Sequence, residues 1–188
     1  VPRTLEKLGT QKVFTLSGNH IMSIFDAALE TKLELIHVRH EAATVHMADA
    51  WGRLTGEPGI AMVTGGPGHA NAVGALYTAL ANESPMVLLS GHAATDELGR
   101  GGFQEIAQAD LARPVAKASW TSTSAAALGE DVAKALHIAR SGRPGPVHLS
   151  LPSDLLDEEV DAARGAIPDR LPGAAPGALP DAIADAVL

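Results

Sequence analysis

Short apolar runs, punctuated by glycine, proline or polar turns, recur along this chain at a spacing that leaves few folds open. Lys12 to Leu16, Leu33 to Val38, Gly59 to Thr64, Met86 to Ser90 and Val147 to Leu151 read as strands buried on both faces, because a strand covered on one side only would alternate apolar with polar residues. A weaker run from Lys117 to Ser122 joins them, since Trp120 and its Thr neighbours favour extended backbone. Between the runs lie Ala-rich stretches with helical spacing, such as Ile21, Ile24, Phe25, Ala28 and Leu29, then Leu128, Val132, Ala135, Leu136 and Ala139. Strands alternating with helices imply parallel pairing through crossover connections. The expected fold is therefore α/β and doubly wound, with a mainly parallel, six-stranded sheet and helices on both faces.

A chain of 188 residues with 46% hydrophobic and 3% aromatic content can pack one such core from Ala, Val and Leu. The core domain is expected over residues 1–157. From Ala162 to Pro180 the texture changes to Ala, Gly and Pro, with four prolines that remove backbone donors, so residues 158–180 are read as a linker. Residues 181–188 resume apolar spacing at Ile183, Val187 and Leu188 behind Pro180, as the start of a further domain. The opening Val1-Pro2-Arg3 leads us to expect a start inside a longer polypeptide. A net charge of -8 with few rings argues against a nucleic-acid surface, which needs clustered cations and stacking platforms. No apolar run is long enough to span a bilayer, and the absence of cysteine fits a cytoplasmic location.

Two segments concentrate chemistry. In Leu35-Ile36-His37-Val38-Arg39-His40-Glu41-Ala42-Ala43 a carboxyl group stands where a strand gives way to a helix. Such a group can be shielded from water and still face a ligand; burial would favour its neutral form and the helix N-terminus its carboxylate, and in a closed site burial is expected to dominate. It is equally an acid in the first turn of a surface helix. In Thr64-Gly65-Gly66-Pro67-Gly68-His69-Ala70-Asn71 a sharp turn follows a strand and opens a helix. It lacks the Gly-Lys-Ser/Thr of a phosphate loop and the three spaced glycines of a dinucleotide fold. His37, His40 and His46 do not make a zinc motif, because His40 and His46, six apart, fall on different helix faces.

A third segment, Leu98-Gly99-Arg100-Gly101-Gly102-Phe103-Gln104-Glu105, runs on to Arg113-Pro114-Val115-Ala116-Lys117. With the two above and the exit Arg143 to Asp154, it resembles, in register from Val13 to Leu156, the N-terminal pyrimidine-binding domain of thiamine diphosphate enzymes, and among them the acetolactate synthase large, catalytic subunit. The resemblance implies that Glu41 is the catalytic carboxyl, hydrogen-bonded to N1′ of the cofactor aminopyrimidine. It implies that Gly66, Pro67 and Asn71 join Glu41 in binding the cofactor's pyrimidine half. Phe103 and Gln104 would sit at the mouth of the site and Lys117 would face the substrate channel, although Phe103 also suits a core and Lys117 a solvated strand end. His20, in Gly18-Asn19-His20-Ile21, resembles the substrate histidine of benzaldehyde lyase; a proton relay and a helix cap are both open to it.

The family also implies Mg²⁺, held with the diphosphate by a Gly-Asp-Gly segment on another domain, and in some members FAD. This sequence has no Gly-Asp-Gly. The expected partners are therefore the diphosphate-binding domain of the same enzyme and further copies in a dimer or tetramer, with no nucleic acid and no membrane. Alone the chain would be inactive, either a fragment or one subunit of a split decarboxylase. Thr15-Leu16-Ser17-Gly18-Asn19 stands where acetolactate synthases have Gly-Tyr-Pro-Gly-Gly, and Gly99-Arg100-Gly101-Gly102 replaces their Gly-Thr-Asp. The substrate side thus stays open between 2-oxo-acid decarboxylation with carboligation, as in branched-chain amino acid biosynthesis, and a benzaldehyde-lyase-like or other decarboxylase. A non-catalytic binding module is the remaining reading.

Overall fold

Each apolar run forms a strand, and all of them join one sheet. The computed structural model describes residues 1–161, so the expected linker beyond residue 161 and the expected helix over 181–188 lie outside the described residues. The strands are β1 (Lys12–Thr15), β2 (Glu34–His37), β3 (Gly59–Val63), β4 (Met86–His92), β5 (Ala118–Thr121) and β6 (Pro146–Pro152). The helices are α1 (Pro2–Lys7), α2 (Met22–Ala28), α3 (Glu41–Thr55), α4 (Pro67–Ala81), α5 (Gln108–Ala112), α6 (Leu128–Arg140) and α7 (Ser153–Asp157). Strand order is β2-β1-β3-β4-β6-β5, with every pair parallel. The doubly wound α/β expectation holds.

Residue parity along the strands sorts the core into two layers, because successive side chains point to opposite faces. On one face Val13, Ile60, Met62, Val87, Leu89, Val147 and Leu149 pack under α1, α2 and α6, with Leu5, Ile24, Val132 and Leu136. On the other, Phe14, Ala61, Val63, Met86 and Leu88 pack under α3 and α4, with Val45, Ala48, Ala72, Ala75, Leu76 and Ala79. This second layer is built largely from small residues, so its helices lie close to the sheet. Gly59 sits under α3 where a Cβ would stand 2.0 Å from the Ala48 carbonyl oxygen.

Leu29, placed by its spacing on the inner face of α2, is instead 83% exposed. The helix ends at Ala28 and Leu29 caps it with helical backbone, φ -60° and ψ -24°, so it keeps the helical period but stands past the end of the core-facing stripe. Most of the apolar residues on α3 and α4 are consumed by this chain's own core: Val45, Ala48, Ala72, Val73, Ala75, Leu76 and Ala79 are buried. What remains outside is a narrower strip with Met47, Leu54 and Tyr77, the last two 86% and 64% exposed.

Candidate functional site

The chain leaves β1 toward β2 on one side and returns to β3 on the other, which makes the carboxyl end of β1 a topological switch point, where open α/β sheets form a crevice. Glu41 and the glycine turn flank it. Glu41 is the first residue of α3, whose N-cap is His40; the His40 Nδ1 accepts from the Ala42 amide at 3.1 Å. From α4, Asn71 Nδ2 donates to Glu41 Oε2 at 2.9 Å. Glu41 is half-buried and Asn71 exposed. Gly68 lies between them: a Cβ there would stand 2.8 Å from Thr64 Cγ2 and 3.5 Å from Glu41 Oε1. A side chain at this position would fill the space in front of the carboxyl.

The turn that opens α4 is held in a conformation open to glycine. Gly66 has φ 57° and ψ -114°, and a Cβ on it would meet the Gln104 carbonyl oxygen at 2.3 Å. Gln104 presses on the turn from the other side and itself takes φ 57°, a left-handed conformation that costs a non-glycine residue on the order of 1 kcal/mol. Beside it Phe103 is 63% exposed and stacks on His20, centroids 5.9 Å apart. Phe103 is thus not a core residue. His20 is buried and does not cap the helix; its Nδ1 lies 3.1 Å from Thr64 Oγ1 at the end of β3. Burial lowers its pKa from the ordinary value, against smaller opposing effects of the Phe103 main chain and the Glu97 carboxylate, so the ring is neutral at neutral pH. Gly66, Pro67, Asn71, Glu41, His20, Phe103 and Gln104 therefore gather at one end of the sheet.

Lys117 does not join them. It precedes β5, at the opposite end of the strands, and its Nζ donates to the main-chain oxygens of Ile138 and Ser141 at 2.5 and 2.7 Å. A cation on the last carbonyls of α6 complements the helix dipole. Desolvation in this position lowers the Lys117 pKa. The expectation of a substrate-facing Lys117 is corrected for this chain to a helix-capping one: the Arg-Pro segment turns the chain back before β5 begins.

Beneath the glycine turn lies a buried polar network that the sequence reading did not isolate. Gln108 Oε1 accepts from the Gly66 amide at 2.8 Å, and its Nε2 donates to the Gly91 carbonyl at 3.1 Å and to Ser150 Oγ at 2.7 Å. His69 Nε2 donates to the Gln108 main-chain oxygen at 3.0 Å, leaving Nδ1 to accept from Ser90 Oγ at 2.8 Å. The His148 ring packs 4.5 Å from that of His69, with Nδ1 2.8 Å from Ser119 Oγ. Burial pushes the His69 pKa down to about 4, and burial with His69 and His92 as neighbours holds His148 well below its usual value. The sequence did carry a signal: in β6, His148 and Ser150 alternate with Val147, Leu149 and Leu151, so two polar residues share the middle of one face of a fully buried strand.

Glu105 accepts from the amides of Gly99, Gly101 and Gly102 at 2.5, 2.9 and 3.2 Å and so shapes the loop ahead of Phe103. Among the described residues no group of three or more His, Cys, Asp or Glu side chains is placed to hold a metal ion. Nor is any described helix long and apolar enough to cross a membrane.

The family described as "Thiamine pyrophosphate enzyme, N-terminal TPP binding domain" matches residues 1–111. A probable acetolactate synthase large subunit of Methanocaldococcus jannaschii is 37% identical over 169 residues, covering 90% of this chain and 29% of that protein. The acetolactate synthase isozyme 3 large subunit of Escherichia coli is 42% identical over 159 residues, 84% of this chain and 28% of its own length. A 2-hydroxyacyl-CoA lyase 2 of Xenopus laevis is 46% identical over 144 residues, 77% of this chain and 22% of its own. The chain thus spans less than a third of the curated relatives it matches.

Proposed function

Because the chain belongs to the thiamine pyrophosphate enzyme N-terminal TPP-binding domain family, we propose that Glu41 is the carboxyl that engages the cofactor's aminopyrimidine, in an enzyme that decarboxylates a 2-oxo acid and joins the product to a second carbonyl. The observation that carries this reading is the Asn71 to Glu41 hydrogen bond across the gap between α3 and α4, with the glycine at position 68 leaving the carboxyl uncovered. When bound, thiamine diphosphate supplies a carbon nucleophile that adds to the substrate carbonyl and stores the electron pair released from it. Glu41 holds a proton against the ring nitrogen N1′, and Asn71 fixes which carboxyl oxygen is turned away from it. Gly66 and Pro67 bring main chain close to the flat ring, while the His20 and Phe103 pair limits the substrate side.

Residues 1–157 constitute the domain, and another part of the enzyme holds the rest of the cofactor. Mg²⁺ and the diphosphate belong to that other part of the enzyme, since hard oxygen ligands around a phosphate-bridged cation are what Mg²⁺ requires. FAD belongs there too if it binds. The exposed strip of α3 and α4 with Met47 and Tyr77 is an interface, either with a second copy in a dimer or tetramer or with the diphosphate-binding domain, and the working compartment is the cytoplasm.

Glu41→Gln in the intact protein tests the role of the carboxyl. The fold should persist while the rate of hydrogen-deuterium exchange at the cofactor C2 falls on the order of a hundredfold; unchanged exchange would remove Glu41 from the mechanism. A second reading, cleavage of a 2-hydroxyacyl-CoA, is favoured by the 46% identity to the Xenopus lyase and by the departure at Gly99 to Gly102 from the acetolactate synthase pattern. Product analysis with pyruvate and with a 2-hydroxyacyl-CoA as alternative substrates separates the two.

A further inference from the structure

Gln108 opens α5, is 1% exposed and spends every side-chain hydrogen-bonding group it uses on a different element. Its carbonyl takes the Gly66 amide at the head of α4, and its amide reaches the end of β4 at Gly91 and the middle of β6 at Ser150. The remaining bonds follow a single direction. Ser119 Oγ donates to the Ala109 carbonyl at 2.7 Å, so it must accept from His148 Nδ1. That leaves His148 Nε2 to accept the weaker contact from Ser150 Oγ at 3.4 Å, while Ser150 Oγ receives the Gln108 amide. The circuit therefore leaves α5 at the Gln108 side chain and returns to it at the Ala109 carbonyl, with His69 as a second tie to the Gln108 main chain.

We propose that Gln108 is a positioning residue, the strut that sets the Gly65 to Pro67 turn and, through α4, the placing of Asn71 against Glu41. Its effect on the cofactor rests on the function proposed above, but the strut itself does not. Gly66 is the weak point that such a strut serves. As a glycine it can leave this conformation for others at little cost, and its carbonyl accepts from the Ala70 amide at 2.9 Å in the first turn of α4, so movement at Gly66 is passed directly into the helix that carries Asn71. No other side chain reaches the Gly66 amide among the described residues.

Two variants of the intact protein test this. Gln108→Met keeps the volume and removes all the side-chain bonds, leaving the Gly66 amide buried without an acceptor. Apparent affinity for thiamine diphosphate should fall about tenfold or more, with kcat at saturating cofactor changed far less, and the peptide over residues 65–70 should exchange hydrogen faster even with no cofactor present. Gln108→Glu is the conservative counterpart. Its neutral acid has an acceptor for Gly66 and a donor for Gly91 or Ser150, whereas its carboxylate faces the Gly91 carbonyl with no donor; His69, His148, His92 and His20 titrate in parent and variant alike, so the ratio of variant to parent cofactor affinity, taken at the same pH, should be near one at low pH and fall as pH rises. Unchanged exchange over 65–70 in Gln108→Met would overturn the strut, and so would a variant-to-parent affinity ratio in Gln108→Glu that stays constant across the pH range. Should Gln108→Met fail to fold, the pH series on Gln108→Glu decides. If the parent protein itself shows no thiamine diphosphate binding, it is the proposed function that fails, while exchange over 65–70 still judges the strut.

Discussion

Acidification through the histidine range should destabilise this domain, and His69 sets the scale. The ring is fully buried between Ser90 and Gln108, and its pKa falls from 6.5 to about 4 on folding. Because the folded value is depressed, the unfolded chain takes up a proton as pH drops through the ordinary histidine range while the folded chain does not. Stability is therefore intact above that range and is lost progressively down to about pH 4, where the folded ring also protonates. Integrating the difference between about pH 7 and pH 5 gives a loss of about 2 kcal/mol from His69 alone. His148, His92 and His20 are shifted in the same direction by burial and add to it, with His69 and His148 taking up protons as a coupled pair. Urea unfolding monitored by circular dichroism at a series of pH values measures the slope, and His69→Gln, which cannot titrate, should flatten it. A free energy of unfolding that stays level between about pH 7 and pH 5, or a slope that His69→Gln leaves untouched, would refute the argument.

Other outcomes follow from single contacts. Gly66→Ala must place a methyl group against the Gln104 carbonyl at a positive φ, and should cost about 2 kcal/mol or more in thermal or urea unfolding. Lys117→Met removes the cation from the end of α6; stability should drop by about 1 kcal/mol with the KM of the intact enzyme for its substrate unchanged, and a raised KM would restore a substrate-side role. The 188-residue chain, titrated calorimetrically with thiamine diphosphate and Mg²⁺, should show no submicromolar binding, and light scattering well above micromolar concentration should give twice the chain mass. A strictly monomeric mass would assign the Met47 and Tyr77 strip to another domain.

The sheet was legible because its central strands β3, β4 and β6 are buried on both faces, while the edge strands β2 and β5 are only partly covered: a run such as Gly59 to Thr64 leaves no other use for so many consecutive apolar residues. The positions of Glu41, Gly66 and Asn71 followed from strand and helix ends, which glycine, proline and capping residues mark locally. Gln108 was not legible in the same way, since a polar residue next to exposed Asp110 and Leu111 gives no local sign of lying inside. Its partners come from residues 66, 91 and 150, and only the closed sheet brings these together. Lys117 shows the converse. Its spacing after Phe103-Gln104-Glu105 points to the site, yet it immediately precedes β5 and so lies at the far end of the strands from Glu41.

The unequal thickness of the two core layers sets what substitution each can absorb. Beneath α3 and α4, with Ala48, Ala61, Ala72, Ala75 and Ala79 in contact and Gly59 already against the Ala48 carbonyl, an added methylene has nowhere to go and displaces a helix end that carries the site. Beneath α1, α2 and α6, exchanges among Leu, Ile and Met at Ile60, Met62, Leu89 or Leu136 conserve volume in a layer remote from Glu41. Attempts to raise the melting temperature of this domain without disturbing its chemistry should therefore begin on the large-residue face, where repacking and activity can vary independently.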